Sequence, residues 1–126
     1  PLVGRWGGRD IAVWASVGLD TGGRRIFSSG GTGFGPHLGD IARRFGGFDL
    51  ALMGNGQDNQ DWTYIHRMPE ETATAAEIVR ARAVLPVHSG RFSIATHAWD
   101  DPFIRISRAS AGKNYRLLTP RMGGPV

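Results

Sequence analysis

Apolar residues in this chain fall into short β-type runs separated by helical spacings. Residues 11–19 (IAVWASVGL) are apolar and β-branched, which predicts a strand. Asp20-Thr21-Gly22-Gly23 reads as a turn, and 24–29 (RRIFSS) as a returning strand, so the pair predicts a β-hairpin. Next, Leu38, Ile41 and Phe45 recur at three- and four-residue spacing, which predicts a helix from Pro36 to Phe45 closed by Gly46-Gly47. The run 48–53 (FDLALM) has the near-continuous apolar character of a buried parallel strand. A polar loop follows from Gly54 to about Met68. Loops of that length in compact domains are often functional.

The second half repeats the alternation. Pro69 suits the first helical position, and Glu70 and Glu71 suit the positive end of the helix dipole better than they suit acid catalysis. Ala73, Ala76 and Val79 form a narrow stripe for close packing on a sheet. Residues 83–88 (AVLPVH) predict a strand ending at His88. Asp101-Pro102 predicts a cap and helix start, with Phe103 and Ile106 inward, running to Ala111 before Gly112. Residues 115–118 predict a last short strand, and 119–126 a tail. The order is that of an α/β protein, and 1–126 reads as a single partial domain.

Composition adds limits. The nineteen glycines concentrate in the first half and make it loop-rich. Net charge is +4, and all but Lys113 of the fifteen basic residues are arginine, a carboxylate and phosphate binder. They are dispersed along the chain, so no nucleic-acid partner is expected. Cysteine is absent, which excludes disulfides and thiolate zinc sites. No apolar run approaches the ~18 residues of a membrane span, and no leader pattern opens the sequence, so the expectation is a cytoplasmic protein.

The stretch 58–101 holds His66, His88 and His97 together with Trp62 and Trp99. His66 precedes a helix and His88 ends a strand, so both belong at one sheet edge. Strand carboxyl ends form the binding side of open α/β sheets. Two histidines fall short of the three protein ligands usual in catalytic zinc sites. A Ser89-His88-Asp100 triad lacks the G-x-S-x-G setting. The glycine run Gly30–Gly35 between strand and helix can cradle an anion, but it matches neither nucleotide-loop spacing and reads better as a tight turn.

Three long segments carry a resemblance: IFSSGGTGFGPHLGDIARRFGGFDLAL, GQDNQDWTYIHRMPEET, and LPVHSGRF followed by HAWDDP. They resemble the C-terminal part of metallo-β-lactamase-fold hydrolases. The branch is similar to the N-acylphosphatidylethanolamine-hydrolysing phospholipase D and to ascorbate-lactonate hydrolases. The likeness spans most of residues 5–102. It implies the C-terminal half of an αβ/βα sandwich, a mixed sheet with helices on one face. It further implies zinc as cofactor and hydrolysis of a phosphodiester, lactone or ester by metal-activated water. By this resemblance His88 takes the family's last metal-ligand position, and His66 a substrate-contact position. Asp58, Ser89 and His97 are further candidate binding residues.

The departures are as informative. Arg5 stands at a ligating histidine of the family, and its guanidinium cannot bind zinc. Gly31 stands at the metal-bridging aspartate. Gly54 and Asp58 replace a glutamate and a tyrosine, and Ser89 a tryptophan. The HxHxDH run that supplies most ligands is absent. Three readings follow: a degenerate or partial hydrolase, not catalytic as this chain alone; an active half complemented by a separate N-terminal HxHxDH half; or a small anion-binding module. The first two expect an exposed sheet face, covered by a homo-oligomer or by the complementary half.

Overall fold

The computed structural model describes residues 15–59, 66–90, 95–121 and 123–125. Within them are strands β1 (Val17–Asp20), β2 (Arg25–Ser28), β3 (Leu50–Gly54), β4 (Ala83–Val87) and β5 (Arg116–Leu117), and helices α1 (His37–Phe45), α2 (Pro69–Ile78) and α3 (Asp101–Ala109). The sheet order is β1-β2-β3-β4-β5. β1 and β2 form the expected antiparallel hairpin, with Val17 opposite Ser28 and Asp20 opposite Arg25. From β2 to β5 every pairing is parallel.

This order places the helices. Each of β3, β4 and β5 is added beside the previous strand by one helical crossover, always in the same direction. Crossovers of one hand then stack every helix on the same side. The core lies there: Phe27, Ala51, Met53 and Val84 point from the sheet toward Leu38 of α1 and Ala75, Ala76 and Val79 of α2. The small residues of α2 let it approach closely, and α3 packs against α2 rather than on the sheet. The opposite face carries no helix among the described residues. Val17 and Leu19 are exposed on it, and Ile26, Leu50, Leu52 and Leu85 are half-covered beside them. The architecture is a half-domain of the sandwich that the resemblance implied.

Element ends and inward faces differ in places from the sequence expectation. Of the strand expected over 11–19, residues 11–14 lie outside the described residues, and β1 runs on to Asp20. Along α1 the buried residues are Leu38 and Ala42. Phe45, in the last turn, stays exposed at the rim, its ring 6.0 Å from that of Phe48 and beneath the Arg44 guanidinium. Gly46 takes the left-handed conformation (φ 75°) and donates its N–H to Ala42, as a helix-ending glycine should. Phe48 is joined to Ala81 by one isolated bridge, so β3 proper begins two residues later. For α3 the N-cap is Asp100 rather than Asp101, since its carbonyl accepts the N–H groups of Phe103 and Ile104. The face turned to α2 therefore carries Pro102 and Ile106, with Phe103 to the side. Tyr115 sits in the core instead of in a strand, its hydroxyl paired with Ser110 Oγ at 2.8 Å.

Candidate functional site at the carboxyl edge of the sheet

The carboxyl ends of β2, β3 and β4 open onto one edge, and most sequence-predicted site residues lie there. β3 leads into Asn55-Gly56-Gln57-Asp58, β4 into His88-Ser89, and the approach to α2 supplies His66 and Arg67. Asn55 N–H bonds the Val87 carbonyl at 2.8 Å, extending the β3–β4 ladder one residue past β3. Gly56 is required at the next position. A Cβ there would stand 2.8 Å from both His88 O and Ser89 Cβ. This close passage holds the two loops together. His88 itself has φ 69°, left-handed for a non-glycine residue. That backbone stores ~1–2 kcal/mol of strain, and such strain concentrates at functional sites.

The two histidines do meet: the His66 and His88 ring centroids are 5.0 Å apart at an interplanar angle of 39°. His66 is half-buried and His88 is exposed. Burial, and then the like-charged neighbour His88, push the His66 imidazole below its ordinary pKa. A neutral ring can accept a proton or bind a metal.

At the same edge lies a layer of polar contacts. Ser29 Oγ accepts the Gly54 N–H at 3.0 Å and the Arg67 Nη2 at 2.6 Å. Arg67 is only 2% exposed, and its Nε and Nη1 have no hydrogen-bond acceptor among the described residues. Burial lowers its pKa to about 10, against a smaller opposing effect of Glu71. Thr72 Oγ1 donates to the Gly54 carbonyl, and Asn55 Nδ2 to that of Pro102 at 3.1 Å, tying the β3 loop to α2 and α3.

Asp58 and His97 form a separate group around Arg105. Asp58, 3% exposed, receives Arg105 Nη1 on Oδ2 at 3.1 Å. Its Oδ1 stands 3.2 Å from His97 Nε2 without the geometry of a hydrogen bond. The other His97 nitrogen lies 2.9 Å from the Ala98 carbonyl. Arg105 also grips Glu70 (Nη2–Oε2 2.6 Å) and Asp101 (3.3 Å). Its hydrogen bond to Glu70 holds that carboxyl below its usual range. Asp58 and His97 thus brace the β3 loop against α3. Glu70 is engaged by Arg105, and Glu71 caps α2 by accepting the Met68 N–H at 2.9 Å.

Ser89 lies beside His88 with its Oγ buried and without a hydrogen-bond partner among the described residues. Gly31 is in the turn after β2, where Thr32 bonds back to the Ser29 carbonyl through both its N–H and its Oγ1. At the start of α1 the Leu38 and Gly39 N–H groups are taken by the Gly35 and Pro36 carbonyls. The Gly30–Gly35 segment is therefore built as a strand-to-helix turn. Arg5 lies outside the described residues.

Among the described residues no three histidine, aspartate or glutamate side chains come together as a metal-binding group. The expected zinc has two neighbouring imidazoles here and no carboxylate to join them, since Asp58 is held by Arg105. The described donors do not make a zinc site by themselves. Sequence reasoning missed Ser29, Arg67 and Arg105. Arg105 had a local signal, its four-residue spacing from Asp101 on one helix. Arg67 had none, because only packing buries it.

Comparison with known proteins agrees with the architecture. A family model described as the beta-lactamase superfamily domain matches residues 4–89. The chain is similar to the outer membrane protein RomA of Klebsiella pneumoniae, 54% identical over 83 residues, covering 66% of this chain and 63% of RomA. It is 32% identical over 126 residues to uncharacterized proteins of Mycobacterium bovis and Mycobacterium tuberculosis, covering 98% of this chain and 34% of each of them. The chain thus spans less than two thirds of the length of these relatives. Among the described residues no helix is long and apolar enough to cross a membrane.

Proposed function

The chain belongs to the beta-lactamase superfamily, and on that footing we propose that it carries one half of a hydrolase site and is not catalytic alone. The observation behind this reading is the His66–His88 pair at the carboxyl edge, two imidazoles at 5.0 Å with no third metal-ligating side chain among the described residues. The apolar sheet face around Leu19, Leu50 and Leu85 gives the second layer of a sandwich a surface to cover. In this reading that layer brings the HxHxDH run, His88 joins its metal site, and His66 contacts the scissile group of a phosphodiester or lactone.

The test is zinc content after dialysis, with turnover of bis(p-nitrophenyl) phosphate and of a simple lactone. The chain alone is expected to retain no zinc and to show no turnover. Joined to an HxHxDH-bearing half it gains both; there His88→Ala loses zinc, whereas His66→Ala keeps zinc and loses turnover. Tight zinc and turnover in the isolated chain would overturn the proposal.

A further inference from the structure

The opposite edge of the sheet, about the amino ends of β3 and β4, holds a cleft of about 380 Å³ that the site above does not use. Arg24, Arg25, Arg80 and Arg82 line it, against the two carboxylates of Asp20 and Asp49. Four arginines against two aspartates leave an excess of two positive charges in the lining, the Arg25 guanidinium also donating to the Phe45 carbonyl. Both carboxylates are occupied by the protein. Asp20 Oδ1 accepts the Gly22 N–H at 2.8 Å, closing the hairpin turn. Asp49 Oδ2 accepts the Arg25 N–H at 2.9 Å, while Oδ1 stands 3.3 Å from Arg82 Nη1 and 4.0 Å from Arg24 Nη1. Asp49 therefore gathers arginines around the cleft without filling it. Arg80 makes no ion pair among the described residues.

Part of the wall is bare backbone. Gly22, Gly23, Gly46 and Gly47 line the cleft. Gly46 and Gly47 have φ of 75° and 119°, where a side chain is strained, and a Cβ on Gly47 would also press on Arg80 O at 3.0 Å. These positions favour glycine, which keeps the space open to a ligand.

We infer that this cleft is a binding site for a phosphoryl dianion. Guanidinium forks pair with phosphate oxygens two at a time, and an excess of two charges matches a doubly charged group. A compact phosphoryl group also suits a polar cleft better than an apolar ligand would. The site lies at the far edge from His66 and His88, so its occupancy is separable from any hydrolytic reading.

Titration calorimetry with inorganic pyrophosphate tests this directly, using sodium chloride of matched ionic strength as the control. Binding is expected, weakened at least about tenfold in Arg80→Gln/Arg82→Gln and unchanged in His66→Ala/His88→Ala. Both arginines are exposed, so folding survives the change, which circular dichroism verifies. Sedimentation with phosphatidylcholine vesicles containing phosphatidic acid identifies the source. Arginine-dependent co-sedimentation assigns a lipid headgroup; pyrophosphate binding without it assigns a free anion. No heat at millimolar pyrophosphate, or equal binding by the arginine variant, would overturn the site.

Discussion

The two edges of this sheet handle charge in opposite ways. At the carboxyl edge charged groups are buried: Asp58 and Arg67 are almost sealed from solvent, and Asp58 is clamped by Arg105. At the amino edge the arginines around Asp49 stand in water, with Arg24 and Arg82 side chains about four-fifths exposed. Burial makes a charge strong and costly to leave alone, whereas exposure makes it weak, mobile and sensitive to salt. The first arrangement sets protonation and geometry. The second is suited to capturing a soluble anion.

The sharpest test of this contrast sets Asp58→Ala against Asp49→Ala. Removing Asp58 leaves Arg105 and His97 facing a buried void, and a loss of about 3 kcal/mol is expected in denaturant unfolding, little altered by salt. Removing Asp49 is expected to lose less, and the loss should fade at high salt. Equal losses with equal salt dependence would erase the distinction between the edges.

Arg67→Met is expected to act in the other direction, with a smaller effect. The guanidinium is buried with two donors that have no acceptor among the described residues, so an apolar side chain of similar length should stabilise the fold by about 1–2 kcal/mol. Strong destabilisation instead would mean that the charge of Arg67 is needed where it stands.

The subtlest effect is that of pH. The folded-state pKa of His66 lies below its ordinary value of about 6.5. Between the two values the unfolded chain binds more protons than the folded one. Stability should therefore fall as pH drops through that window and be insensitive to His66 above it. His66→Gln should flatten this slope in unfolding curves taken across acid pH. NMR titration of His88→Gln should move the His66 midpoint upward; an unmoved midpoint would mean that the two rings do not interact.

Much of the architecture was legible from pattern. The hairpin turn at Asp20–Gly23, the glycine stop at Gly46, Pro69 at the head of α2 and its alanine stripe all act through local backbone chemistry, which a sequence displays. The inward faces were less legible. Phe45 and Phe103 have the right spacing, yet Ala42 and Pro102 are the buried residues, because the neighbouring element decides which side of a helix is covered. Of the site, the approach of His66 to His88 was foreseen from their places at element ends. The capture of Asp58 by Arg105 was not, since it joins residues 47 positions apart.

By itself, then, the sequence determined the alternation of strands and helices, the places where each stops, and the chemical types gathered near the sheet edges. Those properties depend on spacing and on φ preferences within a few residues. Tertiary structure alone decided which charges are sealed from water, that Arg67 lies buried, and that arginines from the β1–β2 hairpin and the α2–β4 connection line one cleft. Burial and charge pairing depend on distances between segments remote in sequence. Those distances exist only once same-handed crossovers have laid the strands side by side.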